Sequence, residues 1–216
     1  MRLLLPRIVA AGACALAVTS VAAYESPLTA RLITEALTIG RSAAASAGGA
    51  FHVPYRLPVN AAPVDYIDVV TPFRRIVIEA QTRQASGQGL MSQRDALAIA
   101  AQSGDIVEVY VELTFHPLNT FVGVPDYAVV LRGIDGAVVT PRDIRRVPRF
   151  GPRLDGTPLP SAAAPPVVAG SDPLTGGTIV AAFATTRVGQ LGAYDIVVDD
   201  GGKELARQRV NFGELR

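Results

Sequence analysis

Five arginines fall within twelve residues, at Arg142, Arg145, Arg146, Arg149 and Arg153, with Asp143 the only acid among them. A guanidinium presents a planar fork of donors that meets carboxylate, phosphate or sulfate oxygens two at a time, where an ammonium is a point charge. The cluster is therefore the candidate site for an anion or an acidic partner. Against that stands composition: Lys203 is the only lysine of the chain, so a solvated loop would carry the same arginines without any role.

The other chemistry-bearing residues are sparse. His52 and His116 are the only histidines, and a metal site would have to join them to Asp65, Asp68, Glu108 or Glu112. Catalytic zinc takes three protein ligands and keeps one position open, and no His-Glu-x-x-His spacing is present. No metal and no cofactor is expected. His116 precedes Pro117, an ordinary place for a hydrogen-bonded structural histidine. Glu108 and Glu112 on one strand stand about 13 to 14 Å apart at a rise of roughly 3.4 Å per residue. That exceeds the carboxylate separation of about 5 to 9.5 Å used in glycoside hydrolysis, and they read as a solvated face. Asp195, Asp199 and Asp200 offer the oxygen ligands calcium prefers, but Asp199-Asp200-Gly201-Gly202 is accounted for by turn chemistry. The tract from Phe115 to Phe121, leading to Val124-Pro125-Asp126-Tyr127, reads as cover for the end of a sheet rather than a pocket. There is no Gly-x-Ser-x-Gly elbow, phosphate-cradling loop or dinucleotide fingerprint.

The elements that must position these residues follow from periodicity. Ser26-Pro27 predicts a helix start, with Leu28, Leu32, Ile33, Ala36, Leu37 and Ile39 at helical spacing. The Ser/Ala/Gly stretch ending at Gly48-Gly49 reads as a linker. Pro54, Pro58 and Pro63 argue for an extended path to a short strand at 66–70. Thr71-Pro72 opens a second helix, and Ser92-Gln93-Arg94-Asp95 is a capping box for a third, closed by Gly104. From Asp105 the period changes to two: Val107, Val109, Val111, Leu113 and Phe115 alternate with Glu108, Tyr110, Glu112, Thr114 and His116. Further strands are expected at 127–132, 137–140, 178–187, 193–198 and 204–212, the last two joined by the Asp-Asp-Gly-Gly turn.

Strands in succession without helices between them predict an antiparallel sandwich. The fold class expected is α+β, with about six or seven strands preceded by two or three amphipathic helices. The region 105–216 resembles an immunoglobulin-like module in architecture, although the cysteine and tryptophan markers of antibody-type domains are absent. The expected organisation is a helical region at 24–104 packing on the sheet, then the sandwich, interrupted by a long mobile loop at about 141–175.

Residues 1–23 are expected to be a signal peptide. Arg2 and Arg7 precede an uncharged apolar run from Ile8 to Val18, and Val21-Ala22-Ala23 supplies small residues for cleavage. A lipoprotein signal acting at Cys14 is the less favoured alternative, because few apolar residues precede that cysteine. Cleavage after Ala23 leaves 18 basic against 19 acidic residues, a net charge of −1, and removes the only cysteine. Disulfides and thiolate chemistry go with it. Near-neutral charge gives no case for nucleic acid, and no later stretch approaches the roughly 20 apolar residues of a membrane span. The expected product is an exported periplasmic or extracellular protein, a non-enzymatic binding or structural module with a protein or anionic glycan as partner. The alternatives are an envelope hydrolase with carboxylate or metal chemistry near His52 and His116, and an accessory subunit of a secreted assembly.

Overall fold

The computed structural model describes residues 26–42, 45–151, 172–189 and 192–216, with only the backbone for 45–48. Four α-helices and two antiparallel sheets of five and four strands make the fold α+β. In chain order the elements are α1 (Ala30–Gly40), α2 (Ala45–His52), β1 (Arg56–Ala61), β2 (Val64–Val70), α3 (Pro72–Ala85), α4 (Gln93–Ser103), β3 (Ile106–Thr114), β4 (Ala128–Gly133), β5 (Val138–Val139), β6 (Asp143–Phe150), β7 (Leu174–Ala184), β8 (Ala193–Asp200) and β9 (Lys203–Asn211). The five-stranded sheet runs β1-β2-β3-β7-β6 and the four-stranded sheet β5-β4-β8-β9.

The period-two stretch forms β3, and its dry residues Val107, Val109, Val111 and Leu113 are fully buried. They share one core with Ile179, Ala181 and Phe183 of β7 and with Val129, Leu131, Ile196 and Val198 of the other sheet. Between β8 and β9, Gly201 and Gly202 take positive φ of 59° and 96°, which residues with a side chain rarely adopt. Asp199 Oδ1 accepts from the Gly202 amide at 2.6 Å.

Local signals place two helix starts where the sequence predicts them. Thr71 caps α3 and Ser92 makes a complete capping box with Asp95 on α4. α1 begins later than expected: Thr29, not Ser26, is its cap, accepting from the Leu32 amide. α2, Ala45–His52, begins inside the Ser/Ala/Gly stretch expected to be a linker as far as Gly48-Gly49.

Two larger expectations are corrected. The region 24–104, expected to be helical apart from a short strand at 66–70, also supplies β1, which with β2 completes one side of the five-stranded sheet. Pro58 is accommodated because β1 is an edge strand, where a missing amide proton costs no ladder bond on the open side. The segment from 141 is not all loop either: 143–150 is β6, paired with β7 through Asp143↔Ala182 to Phe150↔Leu174. β6 is an edge strand with almost every residue exposed, so it carries no apolar alternation to read. Nine strands are thus described against six or seven expected. The middle of the expected mobile loop lies outside the described residues, as do Arg153, Cys14 and the proposed signal peptide.

The helices build a core of their own, with Leu32, Ile33, Ala36 and Leu37 of α1 against Phe73, Ile76, Val77 and Ala80 of α3, plus Met91 and Ala96. Phe51 packs against both cores. A buried polar clasp joins α3 to the sheet. The Arg74 side chain is 3 % exposed; its Nη1 donates to Asp68 Oδ1 at 2.5 Å and to the Val69 carbonyl at 2.6 Å, and its Nη2 to Asp68 Oδ2 at 3.2 Å. Its Nε donates to His52 Nδ1 at 3.1 Å, and its guanidinium lies over the Tyr55 ring. Arginine has no acceptor, so His52 Nδ1 is the bare nitrogen and Nε2 carries the proton, 2.8 Å from Gln81 Oε1. Residues after β9 return to the same place: the Arg216 carbonyl accepts from Thr71 and Tyr55, and its guanidinium pairs with Glu35.

Gly40 sets the closeness of α1 and α3. A Cβ there would meet Ala80 Cβ at 2.6 Å and the Val77 carbonyl at 2.8 Å. Gly→Ala in a helix ordinarily stabilises by about 0.5–1 kcal/mol. Gly40→Ala is expected to reverse that sign and destabilise by about 1–3 kcal/mol, the usual cost of overpacking, in urea unfolding followed by circular dichroism.

Candidate functional site

Because Val107, Val109 and Val111 point into the core, Glu108, Tyr110 and Glu112 point the other way. The register brings further residues beside them on that outer face. Asp68 of β2 stands opposite Tyr110, Tyr66 opposite Glu112, Thr178 of β7 opposite Glu112, and Arg145 of β6 opposite Val180.

Polar contacts knit this face together. Glu108 is only 8 % exposed. It accepts from the Tyr110 hydroxyl at 2.6 Å and from Arg145 Nη2 at 3.4 Å. Arg75 Nη2 of α3 lies 2.6 Å from it but off the hydrogen-bond direction, so that contact is chiefly an ion pair. Burial alone would raise the Glu108 carboxyl, but Tyr110, Arg75 and Arg145 together outweigh it and hold the group below its ordinary value. Burial, then the bond to Glu108 and its charge, push the Tyr110 phenol up to about 12. Tyr110 is thereby a fixed donor, not a base. Glu112 accepts from Thr178 at 2.7 Å and pairs with Arg149, which also donates to the Leu113 carbonyl at 3.0 Å.

Two clefts open where α3 passes beside this face. One, of about 340 Å³, is lined by Tyr66, Asp68, Arg75, Tyr110 and Glu112 among others. The second, of about 570 Å³, is lined by His52, Arg56 and Arg74 among others. Asp68 and Ile78 line both.

The arginine cluster is spread by strand alternation rather than gathered in a loop. Arg145 and Arg149 share the outer face, with side chains 60 % and 46 % exposed. Arg142, 66 % exposed, pairs with Asp105 at 3.5 Å. Arg146 faces the opposite way, donating to Asp126 and to the Pro125 and Tyr127 carbonyls. Arg142 is loosely held, since a long contact between exposed charges contributes about 0–1 kcal/mol, and Arg145 reaches the buried Glu108 only at 3.4 Å.

The histidines are not brought together. His52 bonds Arg74 and Gln81, whereas His116 Nδ1 accepts from the Leu118 amide in the β3–β4 connection. Among the described residues no three His, Cys, Asp or Glu side chains gather as metal ligands. Asp195 is engaged by Arg207 and Arg209. Phe115 and Phe121 pack edge to face with centroids 5.1 Å apart.

Tyr66, Arg74 and Arg75 were not singled out by sequence reasoning. The period-two pattern does place Tyr110 between the two glutamates. It contains nothing to say that the turn after Thr71 lays Arg75 beside them. Comparison of the chain with protein-family models, curated proteins and solved structures returned no significant match.

A carboxyl whose folded pKa is depressed contributes stability that is complete above its unfolded value, near 4.5 for Glu108, and is lost as pH falls through the folded value. Tyr110→Phe removes a charge-assisted bond of about 1.5–3 kcal/mol. The expected outcome is lower stability at pH 7, with the Glu108 carboxyl titrating at higher pH in carbon-detected NMR. An unchanged titration would contradict the geometry.

Proposed function

We propose that the chain is an exported, non-enzymatic binding module of the cell envelope or secretome, built on an immunoglobulin-like sandwich. In this reading the exposed arginines beside and on β6 meet an acidic partner. Two features support the fold assignment. The strand orders β2-β3-β7-β6 and β5-β4-β8-β9 follow the A-B-E-D and C′-C-F-G orders of that architecture. Tyr194, near the start of β8, accepts from the Gly189 amide at 2.8 Å, resembling the tyrosine that ties the corresponding corner in such domains. Export is supported by the charged start, apolar run and small residues of 1–23. No helix among the described residues is long and apolar enough to cross a membrane.

The observation that carries the partner reading is the exposure of Arg142 and Arg145. Each is paired only through a contact of 3.4–3.5 Å, so each guanidinium keeps donors for an incoming carboxylate or sulfate. Arg146 and Arg149, held by backbone carbonyls, serve the framework. Pro148 and the surrounding charge blunt the β6 edge against strand addition, which leaves side-chain recognition as its mode.

Surface plasmon resonance against immobilised poly-glutamate and a heparin-derived oligosaccharide tests this and separates acidic protein from anionic glycan. Binding to one probe should weaken with salt and fall at least about tenfold in Arg142→Gln/Arg145→Gln, the loss of one or two charged bonds. Equal binding by the wild type and the double variant, or none by either, ends the reading.

A further inference from the structure

The clasp around Arg74 contains one histidine, and its contact depends on charge. His52 is the last residue of α2, and its Nδ1 accepts from Arg74 Nε at 3.1 Å. Arginine donates and never accepts, so this bond exists only while Nδ1 is bare. A proton on Nδ1 removes the acceptor and sets an imidazolium against a guanidinium across the same gap. The 2.8 Å contact between Nε2 and Gln81 Oε1 does not discriminate, because Nε2 carries a proton in both states.

The charges around the ring do not rescue the protonated form. Arg74 comes from α3, Arg56 from β1 and Asp68 from β2, and Asp68 is the only carboxylate among the residues lining that cleft. Both Asp68 oxygens already bond Arg74, and Arg56 stands 3.5 Å from one of them. Arg216, after β9, is paired with Glu35 of α1. Burial raises the Tyr55 phenol, which therefore stays neutral. One acid thus answers two arginines before any proton arrives. An imidazolium gains Asp68 only by taking it from Arg74, which opens the clasp by a second route. Solvent reaches the ring, since His52 is half-buried and lines the cleft of about 570 Å³.

A displaced His52 disturbs its neighbour. The Phe51 ring meets the His52 ring edge to face at 5.1 Å and packs against Tyr55 and Phe73. Phe51 is also the side chain shared by the helical core and the sheet core.

We infer that the His52–Arg74 contact is a pH-sensitive latch: proton uptake on Nδ1 releases the end of α2 from α3 and loosens the helical core from the sheet. Histidine is the side-chain type that changes charge between about pH 5 and pH 8. Because the bare nitrogen makes the contact, the latch is closed at the alkaline end of that window and opens as pH falls. No residue of β6 takes part, so the latch and the arginine reading above can fail separately.

The test is hydrogen exchange by mass spectrometry at about pH 8 and about pH 5, with labelling times scaled for the chemical rate. The His52 ring is titrated in parallel by NMR. Amides of α2 and the first half of α3 are expected to open about tenfold more often in acid, the loss of one charge-assisted bond, with a midpoint matching the His52 titration. His52→Asn retains an acceptor oxygen for Arg74 but takes up no proton, so its exchange should not respond. His116→Asn should respond as the wild type does. Should His52→Asn fail to fold, the two midpoints in the wild type decide. The latch is overturned by an absence of acid acceleration in the wild type, by a midpoint apart from the His52 titration, or by an undiminished response in His52→Asn.

Discussion

The guanidinium of Arg74 is the point on which the molecule's two halves meet. An arginine removed from water is costly unless its donors are satisfied and its charge is balanced. Here Asp68 takes it in bidentate fashion, the Val69 carbonyl and His52 take further donors, and Tyr55 offers its ring face. These partners come from β2, α2 and the turn that follows α2, while Arg74 itself belongs to the first turn of α3. The helical core and the sheet core share little apolar contact beyond Phe51. Their relative placement therefore depends on a polar group that tolerates only one geometry. The Arg216 backbone, bound by Tyr55 and Thr71, closes the same junction from the other sheet.

That constraint determines where chemistry can occur. Fixing α3 beside β2 sets Arg75, one residue after the clasp, against Glu108, and lays Ile78 and Glu79 over the outer face of the sheet. The cleft is thus a consequence of the clasp rather than of the strands alone. On the far side of the same face no helix among the described residues covers β6, and Arg142 and Arg145 are exposed. One sheet face accordingly carries two environments, a sheltered one with balanced charge and an exposed one with spare positive donors.

What the sequence reveals, and what it conceals, follows from the range of the interactions involved. Thr71-Pro72 and the Ser92 box are local devices, satisfied within three residues, and the helices start there. The valines of β3 and the Gly201-Gly202 turn are equally local. β6 was hidden because an edge strand holding Asp143, Arg145, Arg146 and Arg149 has no dry face to alternate with. Its pairing depends on β7, and its charges find Glu108, Glu112 and Asp126 only in three dimensions. The five arginines were visible as a group, but alternation separates Arg146 from Arg145 and Arg149. Arg74 looked like any helical surface arginine, since its burial arises from partners on three other elements. Gly192-Ala193-Tyr194 at the start of β8 held a usable signal, a tyrosine two residues beyond a turn glycine.

Hydrogen exchange measured by mass spectrometry on Arg74→Ala is the most direct test of the clasp. Removing Arg74 leaves Asp68 only the longer contact to Arg56 at 3.5 Å, while the valine core between the sheets is untouched. Amides of α1, α3, α4 and the end of β2 are expected to lose protection, while β4, β8 and β9 keep theirs. An exchange pattern unchanged from the wild type, or raised equally in both sheets and all helices, would contradict a molecule joined at Arg74.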